Sequence, residues 1–193
     1  MKPRHTLLFP AFAAMLAVGT AHAHPGHETA SFFSGFGHPL GGLDHLLAML
    51  AVGLFAARQR GTARWALPAA FVLAMLAGAG LSAVGLDLPA VEAGIAASVL
   101  VFGLLIAFMV RLPLAVSLPL VGAFALFHGH AHHAEMGDGT LAAYALGFAL
   151  ATALLHGLGY ALARWAPDTP PAMLVKRCVG GVIALAGAAF LAS

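Results

Sequence analysis

Histidine is the residue type whose number and spacing could carry chemistry in this chain. Eleven histidines occur among 193 residues, of which 61% are hydrophobic and only 8% are charged. Most of them concentrate in two short segments, residues 38–45 and 128–133, and each segment holds or adjoins a carboxylate. Neutral imidazole and carboxylate together suit divalent nickel, cobalt, zinc or copper, whereas cuprous ion and iron–sulfur clusters favour sulfur ligands. The pattern therefore indicates a site for a divalent transition-metal ion.

The first segment carries two histidines and an aspartate. On a continuous helix, His38 and His45 are seven positions apart and fall within roughly 20° of each other. Asp44 then points elsewhere, and we expect it to orient a neighbouring imidazole ring. Pro39 suits the first turn of a helix, and Gly41 and Gly42 would leave the face between the histidines open.

The second segment places three candidate ligands on one helical face. His128, His132 and Glu135 follow the i, i+4, i+7 pattern, whereas His130 and His133 face away from them. A helix carrying this segment would run opposite to the helix of the first segment, so we expect the two segments to meet at a similar depth.

A lone histidine in a membrane span more often makes an interhelical hydrogen bond than binds a metal. Two sets of histidines that face each other from two helices favour metal binding instead. Met49, four residues after His45, is expected to pack in the core. Glu92 lies at the level of the two segments, and His156 lies roughly 24 Å from the outer end of its span. The predicted metal-site residues are His38, Asp44, His45, His128, His132 and Glu135, with a wider set of His24, His27, Glu92, His130, His133 and His156.

Composition indicates which environment surrounds these residues. Soluble domains carry about a quarter charged residues, so a chain with 8% could not cover a surface facing water. The mean hydropathy of +0.94 likewise favours a membrane protein. The single cysteine, Cys178, excludes an intramolecular disulfide and a cysteine-based metal cluster within one chain.

The N-terminus has the three parts of a secretory signal peptide. Lys2 and Arg4 precede an apolar run over residues 7–18, which is followed by Ala-His-Ala at 21–23. We predict cleavage after Ala23, with a membrane domain over residues 24–193; an uncleaved signal anchor is the alternative.

Six apolar stretches are long enough to cross a bilayer as helices, because only helices satisfy the backbone of uninterrupted runs in lipid. The predicted fold is therefore an all-α, polytopic bundle of six transmembrane helices that follows the signal peptide. The predicted spans are 38–57, 65–85, 90–110, 114–134, 140–163 and 175–192.

The basic residues predict the orientation. All seven Lys and Arg beyond residue 23 fall in the connections after spans 1, 3 and 5 or beside them, which makes those connections cytoplasmic. Both termini of the mature chain are then outside. Because every basic residue serves topology, we expect no nucleic-acid partner; the expected partners are the bilayer and a divalent ion.

Two motifs resemble those of the HupE/UreJ family of nickel permeases. Residues 38–49 (HPLGGLDHLLAM) resemble the first-span signature of that family, and residues 127–135 (FHGHAHHAE) are similar to its Phe-His-Gly-x-Ala-His-Gly-x-Glu motif. His133 stands where that pattern has glycine. The signal peptide, the His-rich mature start and the six spans also match, so the resemblance extends over the full chain.

The resemblance implies a permease of the bacterial cytoplasmic membrane that takes up nickel, with cobalt as an alternative, for hydrogenase or urease maturation. The implied functional residues are His38, Asp44, His45, His128, His132 and Glu135. No enzymatic activity and no permanently bound cofactor are implied.

Two other functions stay open at the level of sequence. One is a membrane metal-binding accessory protein that does not transport. The other, less favoured, is an intramembrane enzyme: Gly80-Leu81-Ser82-Ala83 lacks the last glycine of a serine-protease motif, and His-Glu-x-x-His is absent.

Imidazole ligation predicts a pH dependence. Histidine binds a metal ion only when its ring is neutral, so metal flux should fall below about pH 6 as protons compete for the ring nitrogens. Initial uptake rates measured between pH 5 and 8 check this expectation. A flux that keeps rising toward pH 5 would argue against histidine ligation.

Overall fold

The computed structural model describes residues 31–134, 136 and 140–193. All regular structure in these ranges is helical. Seven helices follow one another: α1 (Phe32–Gly41), α2 (Leu43–Arg58), α3 (Ala63–Ala83), α4 (Val91–Ala107), α5 (Leu114–Ala134), α6 (Leu141–Trp165) and α7 (Pro170–Ala192). The predicted signal peptide lies outside the described residues, as do His24 and His27.

Four helices are long and apolar enough to cross a membrane by themselves, namely α3, α5, α6 and α7. The pair α1 and α2 together makes a fifth candidate, although its two halves meet at 87°. Helix α4 has 17 residues, which is at the short end of the range for a span. The all-helical, multi-pass membrane architecture is thus confirmed for the described residues, while the count of six spans remains a prediction.

The prediction of one continuous first span over residues 38–57 is wrong. Gly42 has an extended backbone, with φ −103° and ψ 121°, and it separates α1 from α2. Pro39 lies near the end of α1 rather than in a first helical turn. At this position its ring removes one hydrogen bond from the helix. His38 and His45 therefore do not share one helical face, because the two residues belong to different helices.

The bundle is held by close pairs of helices. Helix α3 packs along α5, α4 along α7, and α6 against both α1 and α2. Each of these contacts is made where a glycine on one helix meets the backbone of the other, so that an added Cβ would collide with it. The glycines at these contacts are Gly78 and Gly129 for α3–α5, Gly103, Gly180 and Gly187 for α4–α7, Gly53 and Gly159 for α2–α6, and Gly35 and Gly147 for α1–α6.

Apolar side chains lie both inside and outside the bundle. Phe55, Phe71, Phe102 and Phe148 are fully buried and fill the centre. Large apolar residues are also exposed along the outer faces of the helices; examples are Leu73, Leu146 and Leu185. An outward apolar surface of this kind is stable only in lipid.

The two ends of the bundle differ chemically. Helix α2 carries Asp44 and His45 in its first turn and ends at Arg58, which places the carboxylate and the arginine roughly 20 Å apart at helical rise. Arg111 donates from Nε to the Arg58 carbonyl at 3.1 Å, and Lys176 pairs with Asp168 at 3.0 Å, close to Arg164. The histidine-rich segments thus lie at one end, and the end formed by Arg58, Arg60, Arg111, Arg164 and Lys176 is termed the basic end.

The α3–α5 contact gives a stability test with an internal control. A Cβ at Gly78 would collide with the backbone of Leu126, whereas a Cβ at Gly80, two residues on, meets nothing within 4 Å. Gly78→Ala should destabilise the protein by about 1–3 kcal/mol through overpacking, and Gly80→Ala should be neutral or mildly stabilising. Thermal unfolding of the two purified variants in the same detergent measures the difference. Equal midpoints would show that the helices do not pack at this distance.

Candidate metal site

The break between α1 and α2 determines where the first set of candidate ligands lies. After Gly42 the chain turns sharply, and α2 starts at Leu43 with Asp44 in its first turn, where a carboxylate is favoured by the helix dipole. His38 comes from the last turn of α1 and His45 from the first turn of α2. The bend brings the two imidazoles to a centroid distance of 6.1 Å.

Four imidazole rings from three helices converge at this end of the bundle. His45 lies 4.9 Å from His128 and 4.7 Å from His132, measured between ring centroids. His38 lies 4.8 Å from His132. His38, His45, His128 and His132 are termed the histidine cluster; they bring the predicted ligands of both sequence segments into one place.

Asp44 orients the ring of His45. The same carboxylate oxygen accepts a hydrogen bond from the His45 backbone at 2.7 Å and contacts its Nδ1 at 2.9 Å. Because a carboxylate can only accept, Nδ1 carries the proton, and Nε2 keeps its lone pair. Nε2 of His45 is buried and has no hydrogen-bond partner in the protein. A carboxylate that fixes the ring and leaves the other nitrogen free is the usual arrangement behind a metal-binding histidine.

A serine fixes the ring of His128 in a similar way. The Ser98 hydroxyl lies 2.6 Å from the Ile95 carbonyl, to which it donates, and 2.9 Å from Nε2 of His128. Since that hydroxyl proton is engaged, Nε2–H of His128 donates to Ser98 and the lone pair lies on Nδ1. Nδ1 is buried without a protein partner. His128 therefore also presents one free nitrogen.

His132 is fully buried, and neither of its ring nitrogens has a hydrogen-bond partner in the protein. Its ring stacks on Phe148 at a centroid distance of 4.7 Å and an interplanar angle of 21°. A buried polar atom left unpaired costs about 1–3 kcal/mol, and a bond from either nitrogen to an ion would remove that cost.

His130 and His133, from the wider set of predicted residues, contact the end of α3 and the connection between α3 and α4. Nε2 of His130 accepts a hydrogen bond from the Leu88 backbone at 3.2 Å, and His133 Nδ1 lies 3.0 Å from the Ser82 hydroxyl. Asp87 is exposed, with a carboxylate oxygen 3.8 Å from His130. These contacts turn both rings away from the histidine cluster.

The carboxylates of the predicted set are distributed differently. Asp44 contacts the histidine cluster through His45. Glu92 is exposed in the first turn of α4 and takes part in none of the contacts described above for the histidine cluster. Glu135 lies outside the described residues.

His156 occupies a separate, deeper position on α6. It is 2% exposed, and both ring nitrogens are buried without a partner in the protein. The ring of Phe71 contacts both His156, at a centroid distance of 5.1 Å, and His128 of the cluster, at 5.5 Å. His156 is therefore linked to the histidine cluster through a shared aromatic neighbour.

Sequence reasoning missed Ser98 and the helix break at Gly42. Ser98 is a lone hydroxyl inside an otherwise apolar helix, and that isolation was the available signal. Pro39 followed by Gly41 and Gly42 was a helix-breaking combination that indicated the bend.

The cluster is not a closed coordination shell. Within residues 31–134, 136 and 140–193, no group of three or more His, Cys, Asp or Glu side chains is placed so that it could hold a metal ion. Nitrogen–metal bonds of about 2.0–2.1 Å would place two rings on one tetrahedral ion with centroids roughly 5 Å apart. Three of the four ring spacings in the cluster, at 4.7–4.9 Å, are close to that value, and the fourth, between His38 and His45, is 6.1 Å.

Comparison with known proteins gives two findings. The family model described as HupE / UreJ protein matches residues 12–190. The chain is also 42% identical over 189 residues to Protein HupE of Rhizobium leguminosarum bv. viciae, an alignment that covers 97% of this chain and 98% of that protein. No solved structure shows a significant match.

The Asp44–His45 contact yields a prediction with an adjacent control. A Cβ at Gly42 would lie 2.9 Å from the Asp44 carboxylate oxygen and 3.4 Å from His45 Nδ1, whereas a Cβ at Gly41 meets nothing within 4 Å. Gly42→Ala and Asp44→Asn should each weaken Co²⁺ binding by roughly 10–100-fold, because the His45 ring loses its orientation. Gly41→Ala should bind as the wild type does. Isothermal titration of the purified proteins measures all four affinities, and a wild-type affinity in Asp44→Asn would remove the orienting role.

Proposed function

We propose, since the chain belongs to the HupE/UreJ family, that it is a permease that carries a divalent transition-metal ion across the membrane through the histidine cluster. The observation that carries the proposal is the convergence of His45 with His128 and His132 at ring distances of 4.7–4.9 Å inside a multi-pass bundle. Ionisable side chains buried in a membrane bundle typically mark ion or substrate pathways, and each of these three rings keeps at least one buried nitrogen without a partner in the protein.

The donor set determines which ions fit. It consists of imidazole nitrogens with carboxylates nearby and contains no thiolate, because the only cysteine, Cys178, is exposed on α7. Nickel and cobalt suit such ligands, as do zinc and copper. The sequence motifs resemble those of nickel permeases, so we assign nickel as the transported ion, with cobalt as the second candidate.

The residues divide into roles. His45 and His128 each offer one nitrogen whose lone pair is fixed by a partner, Asp44 and Ser98 respectively. His132 offers either nitrogen, and His38 completes the cluster from α1. Glu135 and the N-terminal His24 and His27 are proposed to collect the ion before it reaches the cluster.

His156 is proposed as the next position along the path. A cation leaving the cluster toward the basic end passes Phe71 and then meets a buried imidazole without a partner in the protein. Two weak positions in series allow an ion to enter and also to leave, which a single tight site would prevent. The ion is substrate at both positions, and no resident cofactor is required.

Uptake by whole cells tests the proposal. Cells that express the wild type should accumulate radioactive nickel, while His45→Ala and His132→Ala should reduce the initial rate to background because each removes a ligand. His133→Ala is the matched control, since this ring on the same helix turns toward Ser82 and should retain uptake. Equal uptake in the wild type and His45→Ala would reject the site. Binding without uptake in the wild type would instead identify an accessory protein.

The role of His156 is tested by separating binding from flux. His156→Leu should keep nickel affinity within about twofold of the wild type, because the cluster is intact, and should lower the transport rate at least about tenfold. Equilibrium binding and flux into proteoliposomes give the two numbers. A parallel loss of affinity would place His156 in the first binding site.

A further inference from the structure

The basic end of the bundle contains a charged cavity that metal transport does not explain. It has a volume of about 170 Å³ and is lined by Arg58, Arg60, Arg111, Arg164 and Lys176, together with Asp168. The carboxylate of Asp168 already pairs with Lys176, 3.0 Å away. This contact holds the pKa of Asp168 below its ordinary value, so the carboxylate stays charged at neutral pH. The lining therefore has an excess of four positive charges.

Membrane topology accounts for the side on which these residues lie but not for their convergence. Basic residues in cytoplasmic connections orient a membrane protein wherever they sit within the connection. Arg64 illustrates this, since its guanidinium lies over the Trp65 ring, 5.9 Å from the centroid, and does not line the cavity. The five cations of the cavity come from three separate connections and nearby helix ends, and Asp168, the one carboxylate of the lining, offsets only part of their mutual repulsion.

The walls of the cavity are fixed by hydrogen bonds. Arg111 donates to the Arg58 carbonyl at 3.1 Å, and the Gln59 side chain accepts from the Leu112 backbone at 3.3 Å. On the other side, Lys176 donates to the Ala166 carbonyl at 2.9 Å. These hydrogen bonds join the connections to one another. Arg111 uses only its Nε in them, so its terminal nitrogens can still contact an anion.

One buried donor lacks a partner at this place. Nε of Arg58 is buried and makes no hydrogen bond within the protein. A guanidinium donor in that position is suited to a charge-assisted hydrogen bond with a phosphate or carboxylate oxygen. The volume is several times the ~30 Å³ that one water molecule occupies in the liquid, which leaves room for a phosphate group.

We propose that the cavity at the basic end binds a phosphate group, held by Arg58, Arg111 and Arg164. Two sources carry this chemistry at the end of a membrane helix bundle: the headgroup of an anionic phospholipid, and free phosphate. Basic pockets between membrane helices on the cytoplasmic side commonly take anionic headgroups. The site is independent of the histidine cluster, and its occupation needs no metal.

Thermal unfolding of the purified protein in detergent micelles tests this site. Dioleoylphosphatidylglycerol, dioleoylphosphatidylcholine and inorganic phosphate are titrated separately, and an apparent affinity is taken from the rise in the unfolding midpoint. The phosphatidylglycerol should stabilise the wild type more than the phosphatidylcholine does. Arg58→Gln and Arg164→Gln should each weaken the apparent affinity about tenfold through loss of one charge-assisted contact.

Arg64→Gln is the matched control, because it removes one positive charge from the same end without changing the cavity. It should stay within about twofold of the wild type. Arg164 is exposed on the surface of α6, so Arg164→Gln decides the result if Arg58→Gln does not fold. Stabilisation by inorganic phosphate alone, with the same pattern among variants, supports the site and makes free phosphate the source. An affinity unchanged in Arg164→Gln, one lowered equally in Arg64→Gln, or no stabilisation by any of the three additives overturns the proposal.

Discussion

Unpaired imidazole nitrogens inside a bilayer are the constraint around which this structure is arranged. Among the described residues, His45, His128, His132 and His156 all have buried ring nitrogens with no partner in the protein. Each such atom costs about 1–3 kcal/mol while nothing bonds to it. The rest of the bundle must supply that stability, and it does so through glycine contacts that bring helix backbones together and fill the centre with phenylalanines. A cation bound as proposed above would supply the missing bonds.

The bend at Gly42 is the second feature on which the arrangement of the histidines depends. A straight helix would keep His38 and His45 two turns apart on one rod, with the carboxylate of Asp44 on another side. The bend of 87° instead makes α1 and α2 separate arms, so that His38 approaches His132 while His45 reaches both His128 and His132. It also places Asp44 in a first helical turn, where it holds Nδ1 of His45 and leaves Nε2 free. Irregular backbone at this depth is tolerated in membrane proteins where it lines a protein interior or cavity.

Sequence reasoning captured those properties that depend on composition and helical spacing. It predicted α5 at residues 114–134, the same bounds that the structure shows, because the run is bounded by Pro113 and by polar residues. The i, i+4 spacing of His128 and His132 places both rings toward His45, as the structure has them. It failed at Pro39 and Gly42. These residues break the helix within a long apolar run, and an averaged hydropathy does not register them. It also could not identify Ser98 or the cavity at the basic end, which depend on which helices are neighbours. The signal peptide, Glu135 and the N-terminal histidines remain predictions.

The central claim is that histidine rings from oppositely running helices replace the water around a divalent cation. X-ray absorption spectroscopy of the purified protein loaded with one equivalent of nickel tests it most directly, because imidazole ligands give a distinctive multiple-scattering pattern. The account predicts at least two imidazoles on the ion in the wild type and one fewer in His45→Ala. A spectrum of oxygen ligands alone, or one that His45→Ala leaves unchanged, would contradict it.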